Sequence, residues 1–166
     1  MPVFASIPTS LGAFTLVADA VGLCALSFPG KASPRASASP VEMAVHPLIR
    51  EASRQLLAYL NGTLRDFDLP LSIQGTPFQL QVWEQLRAIP YGQTQTYGEL
   101  AEMVGGRHKA RAVGGAAHAN PLAIIIPCHR LIGAGGGLTG FGGGLPMKQA
   151  LLELEGCTIR SMKKYD

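Results

Sequence analysis

The sequence predicts a protein of mixed α and β structure, with a small α/β unit in its first half and a mainly helical second half. Strand-like apolar runs occur near the N-terminus, whereas helical periodicity with clear start and stop signals dominates after residue 75. A hydrophobic fraction of 47% with 15% charged residues is typical of a folded globular chain. Since 166 residues suffice for one ordinary or two small domains, we expect an N-terminal α/β scaffold domain at 1–75 and a second, mainly helical domain at 76–166.

The first half contains the elements of a small α/β unit. Residues 14–18 and 21–28 are strand-like, and 31–40 is rich in Ser, Ala and Pro, as expected of a loop. Apolar residues at helical spacing predict a helix over 46–60, which an Asn-Gly pair ends. No chemistry is visible in this half, so we expect it to act as a scaffold.

Four helices are expected in the second half. Thr76-Pro77 is an N-cap followed by proline, and the apolar stripe behind it ends at Pro90. Thr96 is followed three residues later by Glu99, which is a capping-box pattern. The remaining two helices are predicted at about 109–118 and 146–155.

The second and third of these helices form a helix-turn-helix pattern, since Gly105-Gly106 joins them and the later one starts with basic residues. Pairs of short helices also pack ordinary cores. The charge pattern favours DNA, because no acid occurs between Glu102 and Glu153 and an acid-free basic segment is typical of a polyanion-binding surface. The basic residues in that segment are Arg107, Lys109, Arg111, Arg130 and Lys148.

The most informative segment is Ile-Ile-Ile-Pro-Cys-His-Arg at 124–130. An apolar run ended by proline predicts a buried strand that stops at Cys128. The following histidine titrates near neutral pH, and the arginine is always charged. Since positive surroundings favour the thiolate, Cys128 is a candidate nucleophile, although a half-buried cysteine beside two surface residues gives the same pattern.

Other features limit the class of protein. Three widely separated cysteines, none in a Cys-x-x-Cys pair, argue against a disulfide framework or a metal site. The N-terminus lacks the pattern of a secretion signal, and the longest apolar runs are too short to cross a membrane. We therefore expect a cytoplasmic protein without metal, cofactor or membrane partner.

Taken together, these segments resemble the O6-alkylguanine-DNA alkyltransferases, the suicide repair proteins. Pro-Cys-His-Arg at 127–130 is similar to the active-site signature of the family, and the similarity runs from about 75 to 156 in matching order and spacing. The first half matches only loosely. The other matching segments are Gly-Thr-Pro-Phe-Gln at 75–79, Ile-Pro-Tyr-Gly at 89–92, Thr-Tyr-Gly-Glu-Leu-Ala at 96–101, Ala-Arg-Ala-Val-Gly at 110–114, Ala-Asn-Pro at 119–121, Leu-Thr-Gly-Phe-Gly-Gly-Gly at 138–144 and Leu-Leu-Glu-Leu-Glu-Gly at 151–156.

The resemblance implies a ribonuclease-H-like first domain and a winged-helix-like second domain. It implies direct-reversal DNA repair, in which double-stranded DNA is bound through its minor groove and O6-alkylguanine is flipped out of the stack. The alkyl group is then transferred irreversibly to Cys128, without a cofactor and in a single turnover, with O4-alkylthymine as an optional substrate. The protein would be a monomer in solution, with cooperative binding on DNA as an option.

The resemblance also implies catalytic roles. His129 would deprotonate Cys128 through a water, and Glu155 would orient that imidazole, which gives a reason for an acid at an unfavourable helix end. Asn120 would hydrogen-bond within the turn before the nucleophile. Tyr97 would donate its hydroxyl towards guanine N3 and press on the phosphate that rotates.

Further residues are implied for DNA and substrate. Arg111 would enter the stack in place of the flipped base. Where Phe141 and Gly142 stand, relatives often carry tyrosine and serine or alanine, which would alter the preference among alkyl groups. The remaining DNA-contacting candidates are Thr96, Ala112, Gly115 and Ala116, and the remaining pocket candidates are Leu131, Leu138 and Gly143.

Two alternatives remain. A non-catalytic protein that binds alkylated DNA would need an unreactive Cys128. A cysteine hydrolase or redox protein would use Cys128 and His129, but it would have no need for a basic helix-turn-helix.

Overall fold

The computed structural model describes residues 2–31, 38–42, 45–135 and 143–157. The chain divides into two compact units, Met1–Gln74 with Pro121–Ile125, and Gly75–Asn120 with Ile126–Asp166. The mixture of helices and strands confirms the predicted fold class. In the part of the chain that is described, no helix has the length and apolarity needed to cross a membrane.

The first unit contains a four-stranded sheet in the order β3-β2-β1-β4. Its strands are β1 (Val3–Thr9), β2 (Gly12–Ala18), β3 (Leu23–Ser27) and β4 (Ser39–Pro40). The pairs β1–β2 and β2–β3 are antiparallel, whereas β4 joins β1 in parallel. The sequence did not predict β1, because several of its residues are Ala, Ser or Pro, which do not favour strands.

Helix α1 (Pro47–Leu60) lies against β1 and β2. Its prediction is confirmed: the His46 side chain accepts a hydrogen bond from the Ile49 amide at 3.4 Å, and Asn61 is the C-cap. Ile49, Leu56 and Tyr59 are buried on its inner face, which covers the apolar side of the sheet.

The second unit contains α2 (Pro77–Arg87), α3 (Tyr97–Met103), α4 (Ala110–His118) and α5 (Leu145–Leu154). All four predicted helices are confirmed. The capping box at Thr96 is present, since Thr96 Oγ1 accepts from the Glu99 amide at 3.0 Å and Glu99 Oε1 accepts from the Thr96 amide at 2.9 Å. The Trp83 indole donates to the Ala116 carbonyl at 2.8 Å, which ties α2 to α4.

A two-stranded parallel sheet joins the start of the helix-turn-helix to the segment after Cys128. Strand β5 (Gln95–Thr96) pairs with β6 (Leu131–Ile132), and Thr96 lies opposite Ile132. Because Thr96 is also the N-cap of α3, this pairing fixes the first turn of α3 beside the segment that follows Cys128.

The predicted buried strand before Cys128 is wrong. Residues 122–126 are mostly buried but form turns, with one bridge between Leu122 and Leu26. Ile124 has a φ of 70°, and the Ile125 amide donates to the Ala123 carbonyl across it at 2.7 Å, which is the pattern of a γ-turn. Such a backbone costs about 1–3 kcal/mol for a residue with a side chain, so its surroundings override the strand preference of isoleucine.

Candidate active site

Cys128 is placed by two tight turns in succession. Pro127, with φ −80° and ψ 65°, is the centre of an inverse γ-turn in which the Cys128 amide donates to the Ile126 carbonyl at 2.7 Å. A 3₁₀ turn then spans Cys128–Arg130 and leads into β6. Cys128 is half-buried, whereas His129 is 0% exposed and Arg130 is 6% exposed. The two residues after Cys128 therefore belong to the core.

Glu155, the C-cap of α5, is the centre of a buried polar network. Its side chain is fully buried. His129 Nε2 lies 2.8 Å from Oε2, and Arg130 donates from Nε to Oε1 at 2.8 Å and from Nη2 to Oε2 at 2.9 Å. The Gly92 amide adds a fourth contact to Oε1 at 3.2 Å. The predicted histidine partner of Glu155 is present, and the arginine partner is an addition.

Arg130 extends this network to the loop after α2. Its Nη1 donates to the Ile89 carbonyl at 2.7 Å, and its guanidinium carbon lies 5.8 Å from the centre of the Tyr91 ring. The Tyr91 hydroxyl donates to the Leu154 carbonyl at 3.3 Å. Loop 89–92 and the end of α5 are thus held together around one arginine.

Lys148 is a second buried cation. It is 0% exposed, and its Nζ donates to the Leu131 carbonyl at 2.5 Å. Burial lowers its pKa to about 8, while the nearby Cys128 opposes that shift. This finding corrects the charge argument from the sequence, because neither Lys148 nor Arg130 contributes to a basic surface.

The electrostatic setting of Cys128 also differs from expectation. Burial raises the pKa of the thiol, and the Asn120 hydrogen bond and the Lys148 charge only partly oppose this effect. Burial likewise lowers the pKa of His129, against the influence of Glu155. At neutral pH the site therefore pairs a protonated thiol with a neutral imidazole, so that the nucleophile needs a base.

Asn120 links the helix-turn-helix to the nucleophile. It follows α4, and its Nδ2 donates to the Ile126 carbonyl at 2.7 Å, as predicted for a hydrogen bond within this turn. Its amide also hydrogen-bonds the Cys128 side chain. One side chain thus holds both the backbone before the nucleophile and the sulfur itself.

The helix-turn-helix presents one face of α4 to solvent. Arg111, Ala112 and Gly115 are exposed, whereas Ala116 is only 4% exposed and its carbonyl accepts from Trp83 on α2. The prediction that Ala116 contacts DNA is corrected accordingly, since its side chain lies in the core. Tyr97 rests against the other helix, with its Cε1 3.6 Å from the position that a Cβ on Gly114 would occupy.

The other basic side chains near α4 are engaged locally. Arg107 donates from Nε to Glu102 Oε1 at 3.1 Å, and both side chains are more than half exposed. The Lys109 Nζ lies 5.7 Å from the centre of the Phe78 ring. Both residues flank the turn between α3 and α4, so the positive charge is concentrated at the start of α4.

The predicted substrate pocket is described only in part. Leu131 is buried, its carbonyl accepts from Lys148, and its amide donates to the Cys128 carbonyl. Gly143 is half-buried just before α5. Leu138, Phe141 and Gly142 lie outside the described residues.

Sequence reasoning missed the roles of Arg130 and Lys148, although signals for both exist. An acid at a helix C-terminus is unfavourable unless compensated, so Glu155 calls for a cation as well as a histidine. Lys148 lies three and four residues before Leu151 and Leu152, on the buried side of α5. Among the described residues, no group of three His, Cys, Asp or Glu side chains could hold a metal ion.

Comparison with known proteins agrees with this geometry. Residues 77–157 match the family model described as 6-O-methylguanine DNA methyltransferase, DNA binding domain, and residues 3–73 match its ribonuclease-like domain. A methylated-DNA--protein-cysteine methyltransferase of Methanosarcina acetivorans is 47% identical over 92% of this chain and 97% of its own. The protein of that name from Mycobacterium bovis is 57% identical over 61% of each chain.

Solved structures show the same similarity. Mycobacterium tuberculosis OGT, crystallised in complex with DNA, superposes with a TM-score of 0.84 at 44% identity, over 92% of this chain and 91% of that one. An O6-methylguanine-DNA methyltransferase from Pyrococcus kodakaraensis is 22% identical and has a TM-score of 0.56, which shows the fold alone. The two family models together, and the Methanosarcina acetivorans relative by itself, match almost the whole chain. The protein therefore belongs to the methylated-DNA--protein-cysteine methyltransferase family.

Proposed function

We propose that this protein repairs DNA by direct reversal, transferring an alkyl group from O6-alkylguanine to Cys128 once and irreversibly. The buried contact between His129 and Glu155, next to a half-buried thiol, is the observation that carries the proposal. A thiol whose pKa is raised by burial needs a base within reach, and the neighbouring imidazole supplies it.

The reaction is a single displacement. His129 accepts the thiol proton at Nδ1 through a bridging water, because its Nε2 is held by the Glu155 carboxylate. The Cys128 sulfur forms a bond to the alkyl carbon as the bond from that carbon to guanine O6 breaks. The Tyr97 hydroxyl donates a hydrogen bond to N3 and stabilises the leaving guanine anion. That anion takes up one proton from solvent while His129 releases the thiol proton to solvent, so the charges balance. The product is a thioether, which has no route back to a free thiol, so the protein acts once.

DNA binding is assigned to α4 and the start of α3. The exposed Arg111, Ala112 and Gly115 form a small-sided face with one charge, which suits close approach to the minor groove. Arg111 fills the stack when the damaged guanine rotates out. Thr96 and Tyr97, at the first turn of α3, contact the backbone of the rotated nucleotide.

Backbone groups of Leu131 and Gly143 contact the guanine base. The protein works in the cytoplasm and as a monomer, and the thiols of Cys128 and Cys157 suit a reducing compartment. Residues 1–75 serve as scaffold for the catalytic domain at 76–166, and neither domain uses a cofactor or metal.

The test counts guanine restored per protein molecule. Duplex DNA containing O6-methylguanine is added in increasing excess, and the restored guanine is quantified. We expect a plateau at about one equivalent, since the nucleophile is consumed. Cys128→Ser should restore none, whereas Cys157→Ser, which removes another thiol of the same unit, should reach the same plateau as the native protein.

The alternatives give other results. A protein that only binds alkylated DNA would retain the duplex and restore no guanine. A cysteine hydrolase or redox protein would turn over many equivalents of an ester or a disulfide and leave O6-methylguanine unchanged.

A further inference from the structure

Arg130 is a buried cation whose hydrogen bonds all go to groups of the candidate active site and the adjoining loop. Its side chain is 8% exposed, and three of its nitrogens donate to Glu155 and Ile89 at 2.7 to 2.9 Å. A buried guanidinium in a bidentate pair with a buried carboxylate forms a unit of zero net charge. The same carboxylate is the partner of His129.

The charge state of His129 depends on which groups neutralise the charge of the Glu155 carboxylate. A buried carboxylate paired with imidazole alone favours the imidazolium, because an unpaired buried charge is costly. An imidazolium cannot accept the Cys128 proton. With Arg130 neutralising Glu155, the imidazole meets a carboxylate whose charge is already balanced, and burial then favours its neutral form.

From this geometry we infer that Arg130 is a positioning residue that keeps His129 neutral, with its proton on Nε2 facing Glu155 and Nδ1 as the base. The inference rests on the proposed alkyl transfer, which needs that base. The other groups acting on His129 are Glu155 and Lys148, both supplied by α5 and its C-cap, and Cys128 beside it. Lys148 adds a second positive charge and disfavours the imidazolium in the same direction as Arg130.

The direct test is a titration of the His129 ring nitrogens by NMR in the whole protein without DNA. The native protein should hold a neutral ring with the proton on Nε2 at pH 7 and titrate below about 6.5, the ordinary value for histidine. A native His129 that is imidazolium at pH 7 would overturn the inference. This readout needs no alkyl transfer, so it is separate from the proposed function.

Three variants sharpen the test. Arg130→Met should raise the His129 titration above the native value, and Arg130→Lys, which keeps a cation, should hold it near that value. In Arg130→Met combined with Glu155→Gln the uncompensated carboxylate is gone, so the titration should fall again. A purely structural arginine would leave the His129 titration of Arg130→Met at the native value, and that result would overturn the inference.

The pH profile of alkyl transfer gives a second readout. For Arg130→Met the rate constant should fall roughly tenfold for each pH unit below the raised His129 pKa, so its acid limb lies at higher pH than that of the native protein. A loss of rate by the same factor at every pH, with an unmoved limb, would contradict the assignment and leave Arg130 with a structural role only.

Discussion

The Asn120 side chain donates from Nδ2 to the Ile126 carbonyl at 2.7 Å, across the turn that delivers Cys128. The same side chain hydrogen-bonds the Cys128 sulfur, which lowers the thiol pKa against the larger effect of burial. Asn120 thus connects the end of α4 to both the position and the ionisation of the nucleophile.

Replacing Asn120 by alanine should slow alkyl transfer roughly tenfold or more, because the thiolate loses a hydrogen-bond donor whose absence raises the thiol pKa. The buried Ile126 carbonyl also loses its side-chain partner, at a cost of about 1–3 kcal/mol in the free energy of unfolding. The rate of Cys128 alkylation by a small reagent, followed against pH, measures the first effect. Asn61→Ala, at the C-cap of α1, is the control; an Asn120→Ala thiol that titrates as in the native protein would refute the electrostatic part.

The lowered pKa of the buried Lys148 should make the stability of the protein depend on pH. Its folded pKa of about 8 lies below the ordinary 10.5, so the unfolded chain binds more protons than the folded one between these values, and stability rises with pH. Relative to Lys148→Met, the free energy of unfolding of the native protein should rise by about 1 kcal/mol from pH 8 to 9. Thiol ionisation affects both proteins and largely cancels in the difference. Denaturant unfolding at about pH 8 and pH 9 measures this change in the free energy of unfolding. An equal change in the native protein and in Lys148→Met would contradict a lowered Lys148 pKa.

A substitution at Tyr97 can distinguish the packing of the ring from the chemistry of the hydroxyl. Its ring rests against Gly114, and Tyr97→Phe keeps that contact while removing the hydroxyl. We expect the alkyl-transfer rate constant to fall by roughly tenfold or more, as for loss of a proton donor, with little change in the free energy of unfolding. The matched control is Tyr59→Phe, a buried tyrosine of the other unit, which should leave the rate unchanged. A Tyr97→Phe protein with the native rate would remove the hydroxyl from the mechanism.

Arg111 should matter only for duplex substrates. Arg111→Ala should slow repair of O6-methylguanine in duplex DNA by roughly tenfold to a hundredfold, while its reaction with free O6-benzylguanine should change by less than about twofold, because only the duplex requires base flipping. Arg54→Ala, an exposed arginine on α1, should leave both rates at the native level. Equal losses on the two substrates would exclude a role in the stack.

The helices were predictable because their signals are local. Thr76 and Thr96 cap their helices as the sequence indicates, and Glu155 at the end of α5 required a partner on electrostatic grounds alone. Such features depend on neighbours a few residues away, which the sequence displays directly.

The features that the sequence did not predict depend on tertiary structure. Three consecutive isoleucines favour a strand by propensity, yet Ile124 takes a positive φ in a turn because its surroundings decide its conformation. Arg130 and Lys148 were counted as surface charge because sequence gives charge without burial. The ion pair of Arg130 with Glu155 joins residues 25 positions apart, and no local pattern specifies that distance.

The central claim, that Cys128 is a nucleophile used once, is tested most directly by locating the transferred group. Trypsin places the three cysteines on three different peptides, with Cys128 alone on residues 112–130. After incubation with duplex DNA containing O6-methylguanine, that peptide should gain about 14 Da in nearly every molecule, as methylation of the thiolate nucleophile requires. The peptides with Cys24 and Cys157 should stay unchanged. Restored guanine without a modified 112–130 peptide, or a methyl group on either other cysteine, would contradict the account.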